Sequence, residues 1–198
     1  MAPRSKREDI LHKAGELFVK EGYRKVTMDQ IAEAVPVSKP TLYSNFADKA
    51  ALFSAVIEDR CQKLIAGIRS GVDAKMSAEE ALREIGRQFL EKVVSEQALS
   101  MHRIIAAESE DFPNVARLFY ESGPKQMHLL LSKYLTTLQQ QKILDVKDPS
   151  VSADMFLSML KGHLHLRCMM GVQAAPTKAE IKKRVDYAVD LFMKAHAL

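Results

Sequence analysis

Residues 27–46 read TMDQIAEAVPVSKPTLYSNF, and this stretch decides the fold. Thr27 and Gln30 have the spacing of a capping box, which predicts that a helix of about eight residues begins here. Ser38 is a second N-cap candidate, and Pro40 is tolerated in the first turn that follows it. The stretch therefore predicts two short helices joined by residues 35–38, which is a helix-turn-helix.

Two helices this short cannot bury a core of their own, so neighbouring segments must pack against them. A helix before them and the start of a long helix after them carry apolar residues at helical spacing. Gly22 is expected to end the first of these helices, and Asp48 is expected to cap the second. The predicted interior of the resulting three-helix headpiece is Ile10, Ala14, Leu17, Phe18, Ile31, Leu42, Phe46, Leu52 and Phe53.

The rest of the chain continues the helical pattern. Capping boxes of Ser77 with Glu80 and of Thr177 with Glu180 predict two more helix starts. The Gly-Pro pair at 123–124 interrupts or kinks another helix. No segment shows the alternation of a β-strand, so the sequence predicts an all-α protein of about nine helices, in which the headpiece is followed by a larger helical domain.

Composition excludes several classes of protein. The chain has 198 residues, of which 47% are hydrophobic, and a formal net charge of +4, which is typical of a globular protein and not of a disordered one. No apolar run is long enough for a membrane span or resembles a signal peptide, which predicts a cytoplasmic protein with no membrane partner. Cys61 and Cys168 cannot build a disulfide scaffold or a cysteine-rich metal site, and both are expected to be small core residues.

The outward face of the second short helix is polar and aromatic, with one cation and no carboxylate. Its residues are Lys39, Pro40, Thr41, Tyr43, Ser44 and Asn45. Such a face suits contacts with phosphates and base edges in a DNA major groove. The alternative is that these are ordinary exposed residues on a short helix.

Residues 10–53 resemble the DNA-binding domain of the TetR/AcrR family of bacterial transcriptional regulators. The matching residues are Ala14, Leu17, Phe18, Gly22, Tyr23, Thr27, Ile31, Ala32, Val37, Ser38, Lys39, Thr41, Leu42, Tyr43, Phe46, Lys49, Leu52 and Phe53. A second run is similar to the AefR-like subgroup of that family. Its matching residues are Arg103, Ala107, Glu108, Phe112, Pro113, Phe119, Tyr120, Gly123 and Pro124.

This resemblance implies a role for each DNA-facing residue. Thr27 and Tyr43 would bind phosphates, and Lys49 would approach the DNA backbone from the start of the fourth helix. The residues implied to face base edges are Lys39, Pro40 and Thr41, with Ser44 and Asn45 at the border of that contact. The resemblance thus predicts a DNA-binding domain at residues 1–49 and a near-palindromic double-stranded operator as partner.

Two residues depart from the expected pattern. Family members usually have glycine where this chain has Pro36. Since proline cannot adopt a positive φ, the turn is expected to close in another conformation, which would shift the second short helix. Gly15 lies inside the first helix, where glycine costs about 1 kcal/mol relative to alanine.

The resemblance assigns residues 50–198 to ligand binding and dimerisation. Family members form homodimers through their last two long helices, although by periodicity alone these apolar stripes fit a monomer core. The stripes comprise Met155, Met159, Leu166, Met169, Met170, Val185, Ala188, Val189 and Phe192. Residues that could line a mostly apolar ligand pocket, or be ordinary core, are Met101, His102, Ile105, Phe119, Met127, Leu130, Leu131 and His163.

These patterns favour a dimeric, ligand-responsive DNA-binding regulator, a repressor that a small apolar ligand releases from its operator. The alternative is an all-α enzyme or protein-interaction module with a vestigial helix-turn-helix. No catalytic or cofactor motif occurs, so no cofactor is expected. His163 and His165 lie about 200° apart on a helix and cannot bind one metal ion together. Glu108 and Glu110 are expected to be surface or helix-end charges.

Overall fold

The computed structural model describes residues 5–35 and 37–198, and this part of the chain contains helices and no strand. It has ten helices: α1 Lys6–Glu21, α2 Met28–Ala34, α3 Lys39–Asn45, α4 Lys49–Gly71, α5 Ala78–Val93, α6 Glu96–Glu108, α7 Pro113–Ser122, α8 Pro124–Gln140, α9 Pro149–Met169 and α10 Lys178–Ala195. The expected all-α fold is confirmed. There is one helix more than expected because the run that begins at Pro113 is divided at Gly123.

Side-chain caps fix where the helices begin. The three expected capping boxes, which start at Thr27, Ser77 and Thr177, are all formed. Ser5 forms another with Glu8 at the start of α1. Gly22 follows α1 with a φ of 84°, a positive value that glycine adopts at no steric cost, and so ends that helix as expected.

The chain divides into two compact units. The first contains the described residues up to Gln62 together with Ser100–Ser122, and the second contains Lys63–Leu99 and Gly123–Leu198. Helices α4 and α6 pass from one unit into the other. The first unit thus includes the segment 100–122, which is far from the headpiece in sequence. The boundary expected between a DNA-binding domain at 1–49 and a ligand-binding domain at 50–198 stays a prediction.

The core of the first unit contains eight of the nine interior residues expected from the sequence, and Leu17 is half-buried. Phe18 and Phe53 meet edge to face, with ring centroids 4.9 Å apart. Met101 and Ile105 of α6 belong to the same core. The headpiece therefore completes its hydrophobic core with residues from the 100–122 segment.

Gly15 makes room for a half-buried arginine. A methyl group at position 15 would lie 2.7 Å from Nη2 of Arg60 and 3.1 Å from Cγ1 of Val56. Burial lowers the pKa of Arg60 below its usual value. The cost of a glycine inside α1 is thus offset by the space that it leaves for the Arg60 guanidinium.

In the second unit, α5 and α8 pack against the C-terminal helices α9 and α10. Helix α9 is broken at Gly162, which has a φ of 39° and a ψ of −147°. The guanidinium of Arg184 on α10 donates hydrogen bonds to the carbonyls of Met159, at 2.7 Å, and of Leu160. Arg184 therefore supplies donors to carbonyls beside the break.

None of the helices in the described ranges is both long and apolar enough to cross a membrane. Cys61 and Cys168 are unbridged and buried, as expected of small core residues.

Burial raises the pKa of the Cys61 thiol to about 11. We expect Cys61 to stay a protonated thiol at pH 8 and to resist iodoacetamide in the native protein, since the thiolate is the reactive form. Peptide mass spectrometry should detect alkylation of Cys61 only after denaturation. Rapid alkylation of the native chain would contradict this assignment.

Candidate nucleic-acid interface

Helices α2 and α3 form the expected helix-turn-helix within the first unit. The Ser38 hydroxyl accepts a hydrogen bond from the N–H of Thr41 at 3.3 Å and so begins α3 at the expected residue. Leu42 is fully buried and anchors α3 to the core. Pro36, with the effect on the turn that we expect of it, lies outside the described residues.

Helix α3 exposes most of its surface. Its seven residues include no acidic side chain, and Leu42 is its buried residue. Thr41 is half-buried, and the exposed residues are Lys39, Pro40, Tyr43, Ser44 and Asn45. The outward face derived from the sequence is therefore present, with Thr41 at its edge.

Lys39 is bound to a neighbouring carboxylate. Its ammonium lies 2.8 Å from Oδ1 of Asp29 on α2, and both side chains are exposed. The hydrogen bond with Asp29, together with the attraction between the two charges, raises the pKa of Lys39. Since exposed ion pairs are weak, DNA could displace Asp29 from Lys39. Any contact of Lys39 with a base thus competes with this pair.

The polar side chains at the end of α3 turn back along their own helix. Ser44 Oγ donates a hydrogen bond to the Thr41 carbonyl at 2.9 Å, and Asn45 Nδ2 donates to the same carbonyl at 2.8 Å. A rotation about χ1 would release either side chain from this carbonyl. Their place at the border of the contact stays a prediction.

Lys49, which the resemblance places at the DNA backbone, is engaged in hydrogen bonds within the protein. Its ammonium donates hydrogen bonds to the carbonyls of Tyr23 at 2.9 Å, Val26 at 3.0 Å and Arg24 at 3.3 Å. It also lies 4.5 Å from the centroid of the Tyr23 ring. An ammonium has three N–H donors, and this geometry uses all three. Lys49 thus closes the connection between α1 and α2, and a phosphate contact would have to replace one of these bonds.

Thr27 and Tyr43, the other residues expected to bind phosphates, differ in their surroundings. The Thr27 hydroxyl caps α2, accepting from the N–H of Gln30 at 3.2 Å. Tyr43 is 49% exposed. Tyr43 can therefore meet a phosphate without a change in the fold, whereas the hydroxyl of Thr27 is already engaged.

Glu108 is the last residue of α6, which is one of the two positions expected of it, but it does not lie at the surface. It is only 7% exposed, and its two carboxylate oxygens accept hydrogen bonds from Nε of Arg24 at 3.0 and 3.2 Å. Arg24 also binds Asp111, and the rings of Tyr23 and Phe112 meet edge to face at 5.3 Å. The end of α6 is thus tied to the connection between α1 and α2. Glu110 is exposed, as expected.

The residues expected to line a ligand pocket are divided between the two units. In the first unit, Met101 and Ile105 are buried in the core, while the rings of His102 and Phe119 meet edge to face at 5.0 Å. In the second unit, Met127 and Leu131 are buried in the core, Leu130 is half-buried and His163 is exposed. Of the eight, Leu130 lines a cleft of about 540 Å³ in the second unit.

Within residues 5–35 and 37–198, no group of three or more His, Cys, Asp or Glu side chains lies close enough together to hold a metal ion.

Comparison with known proteins agrees with this architecture. Residues 10–56 match the family model described as bacterial regulatory proteins, tetR family, and residues 80–197 match the AefR-like transcriptional repressor, C-terminal domain. The chain is 29% identical over 196 residues to YvkB, an uncharacterized HTH-type transcriptional regulator of Bacillus subtilis strain 168. The aligned residues cover 98% of this chain and 97% of that protein.

Solved structures give the same result. The flavonoid-responsive regulator FrrA is 34% identical, with a TM-score of 0.76 and 96% of each chain covered. A TetR-family transcriptional regulator from Mesorhizobium loti MAFF303099 has the same fold, with 24% identity, a TM-score of 0.89, and 98% of this chain and 97% of that chain covered. The chain therefore belongs to the TetR family of DNA-binding transcriptional regulators.

Proposed function

We propose that the protein is a homodimeric repressor that binds a near-palindromic operator and is released from it by a small apolar ligand. The observation that carries the proposal is the exposed, acid-free face of α3. Helix-turn-helix proteins place such a helix in the major groove and use two copies to read two half-sites. The description of the matched C-terminal model as an AefR-like repressor supports repression, and the flavonoid response of FrrA supports a small-molecule ligand.

Lys39, Pro40 and Thr41 are proposed to face base edges. Lys39 can donate to guanine O6 or N7, and the Thr41 methyl can meet a thymine methyl. Tyr43 would bind a phosphate, and Thr27 would bind another by turning its hydroxyl hydrogen away from Oε1 of Gln30. Such phosphate contacts hold the helix in register. Because DNA lies in the bacterial cytoplasm, that is the proposed place of action.

An exposed apolar stripe on α9 and α10 supports the homodimer. It comprises Val151, Met155 and Leu166 of α9, Met170 directly after α9, and Tyr187 and Leu191 of α10, each between 48% and 73% exposed. Helices α9 and α10 are neighbours, and exposed apolar surface shared by neighbouring helices is typical of an interface between proteins. We call these six residues the α9–α10 stripe and propose that a second copy of this chain covers it.

The resemblance placed other α10 residues at the dimer interface than Tyr187 and Leu191. Each of them is buried in the core of the second unit and therefore cannot meet a second copy. They are Val185, Ala188, Val189 and Phe192. Met159 and Met169 are half-buried. The correction follows from helix periodicity, since Tyr187 and Leu191 occupy the face of α10 opposite the core-facing residues.

The proposed ligand would act by linkage between two sites. A ligand that binds more tightly to the conformer whose headpieces are wrongly spaced for DNA lowers operator affinity by that difference.

The operator is expected to be a near-palindrome with half-site centres about 10 base pairs apart, since two-fold related α3 helices would enter successive major grooves. Selection from a random duplex pool, followed by footprinting, measures this spacing. A reporter gene behind the selected site should be expressed less when the protein is present. An enriched site without a dyad would contradict the dimeric model, and higher expression would contradict repression.

Asp29 is expected to weaken operator binding because it holds Lys39 and repels phosphates. Asp29→Asn should raise operator affinity about fivefold, whereas Lys39→Ala should lower it about 5- to 150-fold and relax one base pair in each half-site. Fluorescence anisotropy at fixed salt measures both effects. In a Lys39→Ala background, Asp29→Asn should raise operator affinity by less than it does in the wild-type protein. An equal rise in affinity would show that Asp29 acts only by repelling phosphates.

A further inference from the structure

We propose that the cleft of the second unit binds a small molecule with an apolar body and one anionic group, such as a carboxylate. The proposal deepens the ligand response proposed above and rests on it, but it concerns binding at a defined site and can be tested without DNA.

The cleft lies entirely within the second unit, where the end of α4 and parts of α5 and α8 surround it. Its volume of about 540 Å³ falls within the range of small-molecule sites, roughly 300–1,000 Å³. It is lined by Ile65, Ile68, Arg69, Val72, Ile85, Gln126, Leu129, Leu130, Lys133, Tyr134 and Thr137.

The apolar part of the lining favours an apolar ligand body. Ile68 and Ile85 are buried and belong to the core of the unit, while Leu130 is half-buried. Leu129 is a large hydrophobic residue that is 50% exposed. Covering this surface with an apolar ligand would remove it from water, which is favourable.

The charged part of the lining favours an anion. Arg69 and Lys133 are both exposed cations, and none of the eleven lining residues is acidic. Burial raises the pKa of Tyr134, so its hydroxyl stays protonated at neutral pH and can donate a hydrogen bond. A carboxylate would accept from these groups, and guanidinium groups match carboxylate geometry well.

Some other cations of the same unit are held by carboxylates of their own helix. Arg87 on α5 pairs with Glu84 and Glu91 at 2.6 and 2.9 Å. On α8, by contrast, the positions three and four residues from Lys133 hold Leu129, Leu130 and two threonines. No ion pair along its own helix is therefore available to Lys133. For Lys133, this contrast points to an external anion as its partner.

Sodium decanoate is the probe, with decanol and decylamine as neutral and cationic compounds of the same chain length. Isothermal titration of the full-length protein below the micellar concentration should show one decanoate bound per chain. Decanol should bind about tenfold more weakly, and decylamine more weakly still, since a charged hydrogen bond is worth about a factor of ten. Equal binding of decanol and decanoate would overturn the proposal.

The variant Arg69→Gln/Lys133→Gln should lose about tenfold or more in decanoate affinity while keeping its affinity for decanol. The matched control is Lys178→Gln/Lys194→Gln, which removes the same charge from exposed positions outside the cleft and should bind decanoate normally. Should the first variant fail to fold, Thr137→Glu, which adds a carboxylate at the cleft, should also exclude decanoate. Undiminished binding by a folded cleft variant would overturn the proposal.

Operator release is measured separately by anisotropy. If decanoate binds in this charge-dependent way without releasing DNA, the cleft assignment is supported and the proposed ligand response fails. If a neutral compound releases DNA while decanoate does not bind, the ligand response is supported and the cleft assignment fails.

Discussion

Replacing Lys49 by methionine is expected to lower the free energy of unfolding by about 3 kcal/mol and to abolish operator binding. Methionine keeps most of the apolar stem but removes the ammonium. The carbonyls of Tyr23, Arg24 and Val26, which now accept its three hydrogen bonds, would lose their charged donor. Two of these bonds are partly buried, where a lost partner costs most.

Urea denaturation followed by circular dichroism measures this effect. Lys25→Met is the matched control, because Lys25 is an exposed lysine in the same connection and its loss should change stability little. The family resemblance implies a different role, in which loss of the Lys49 ammonium weakens DNA binding without destabilising the fold. If Lys49→Met kept full stability and lowered the slope of log affinity against log salt by about one unit, Lys49 would be a phosphate contact.

Carboxylates in the α9–α10 stripe are expected to split the proposed dimer. Met155 and Leu166 are 58% and 56% exposed, and a second copy would bury both. In Met155→Glu/Leu166→Glu, the two-fold axis places four unpaired carboxylates in one interface, and each costs several kcal/mol to bury. The dimer dissociation constant should rise by a factor on the order of 1,000 or more, and tight operator binding should be lost with it.

Sedimentation velocity over a range of protein concentrations measures this constant. Ile143→Glu is the control, because Ile143 is a 45% exposed apolar residue outside α9 and α10. A wild-type protein that is monomeric at micromolar concentration would refute the dimer. A double variant that remains dimeric would refute the stripe as its interface.

Local pattern predicted the parts of the fold that depend on neighbours in sequence. The capping boxes at Thr27, Ser77 and Thr177 formed, because a cap needs only residues three positions apart. The core of the headpiece followed from helical periodicity. Pairings across the chain could not be derived in this way. Arg24 and Glu108 are 84 positions apart, and nothing near either residue shows that they meet.

In the candidate site, too, features set by sequence neighbours were predicted, and contacts between different helices were not. That α3 faces outward followed from the position of Leu42, but the attachment of Lys39 to Asp29 depends on how α2 and α3 cross. A signal for Lys49 did exist, since the connection between α1 and α2 has backbone carbonyls that need donors. Periodicity located one apolar face of α10 and by itself fitted a monomer core, where the structure places that face, whereas the resemblance assigned it to the dimer interface. Periodicity also does not show which apolar residues border a cleft, and of the eight residues proposed for a pocket only Leu130 lines the cleft of the second unit.

The bond between Arg24 and Glu108 has a consequence for engineering chimeric regulators. A hybrid that joined residues 10–56 of another family member to the rest of this chain would keep the buried Glu108. Unless the other family member has an arginine at the position of Arg24, the Glu108 carboxylate would lose its partner. The hybrid would then be destabilised by an unpaired buried charge. New operator specificity is therefore better transplanted by exchanging α3 alone. Where the whole headpiece must be exchanged, residues 100–122 should move with it as one cassette.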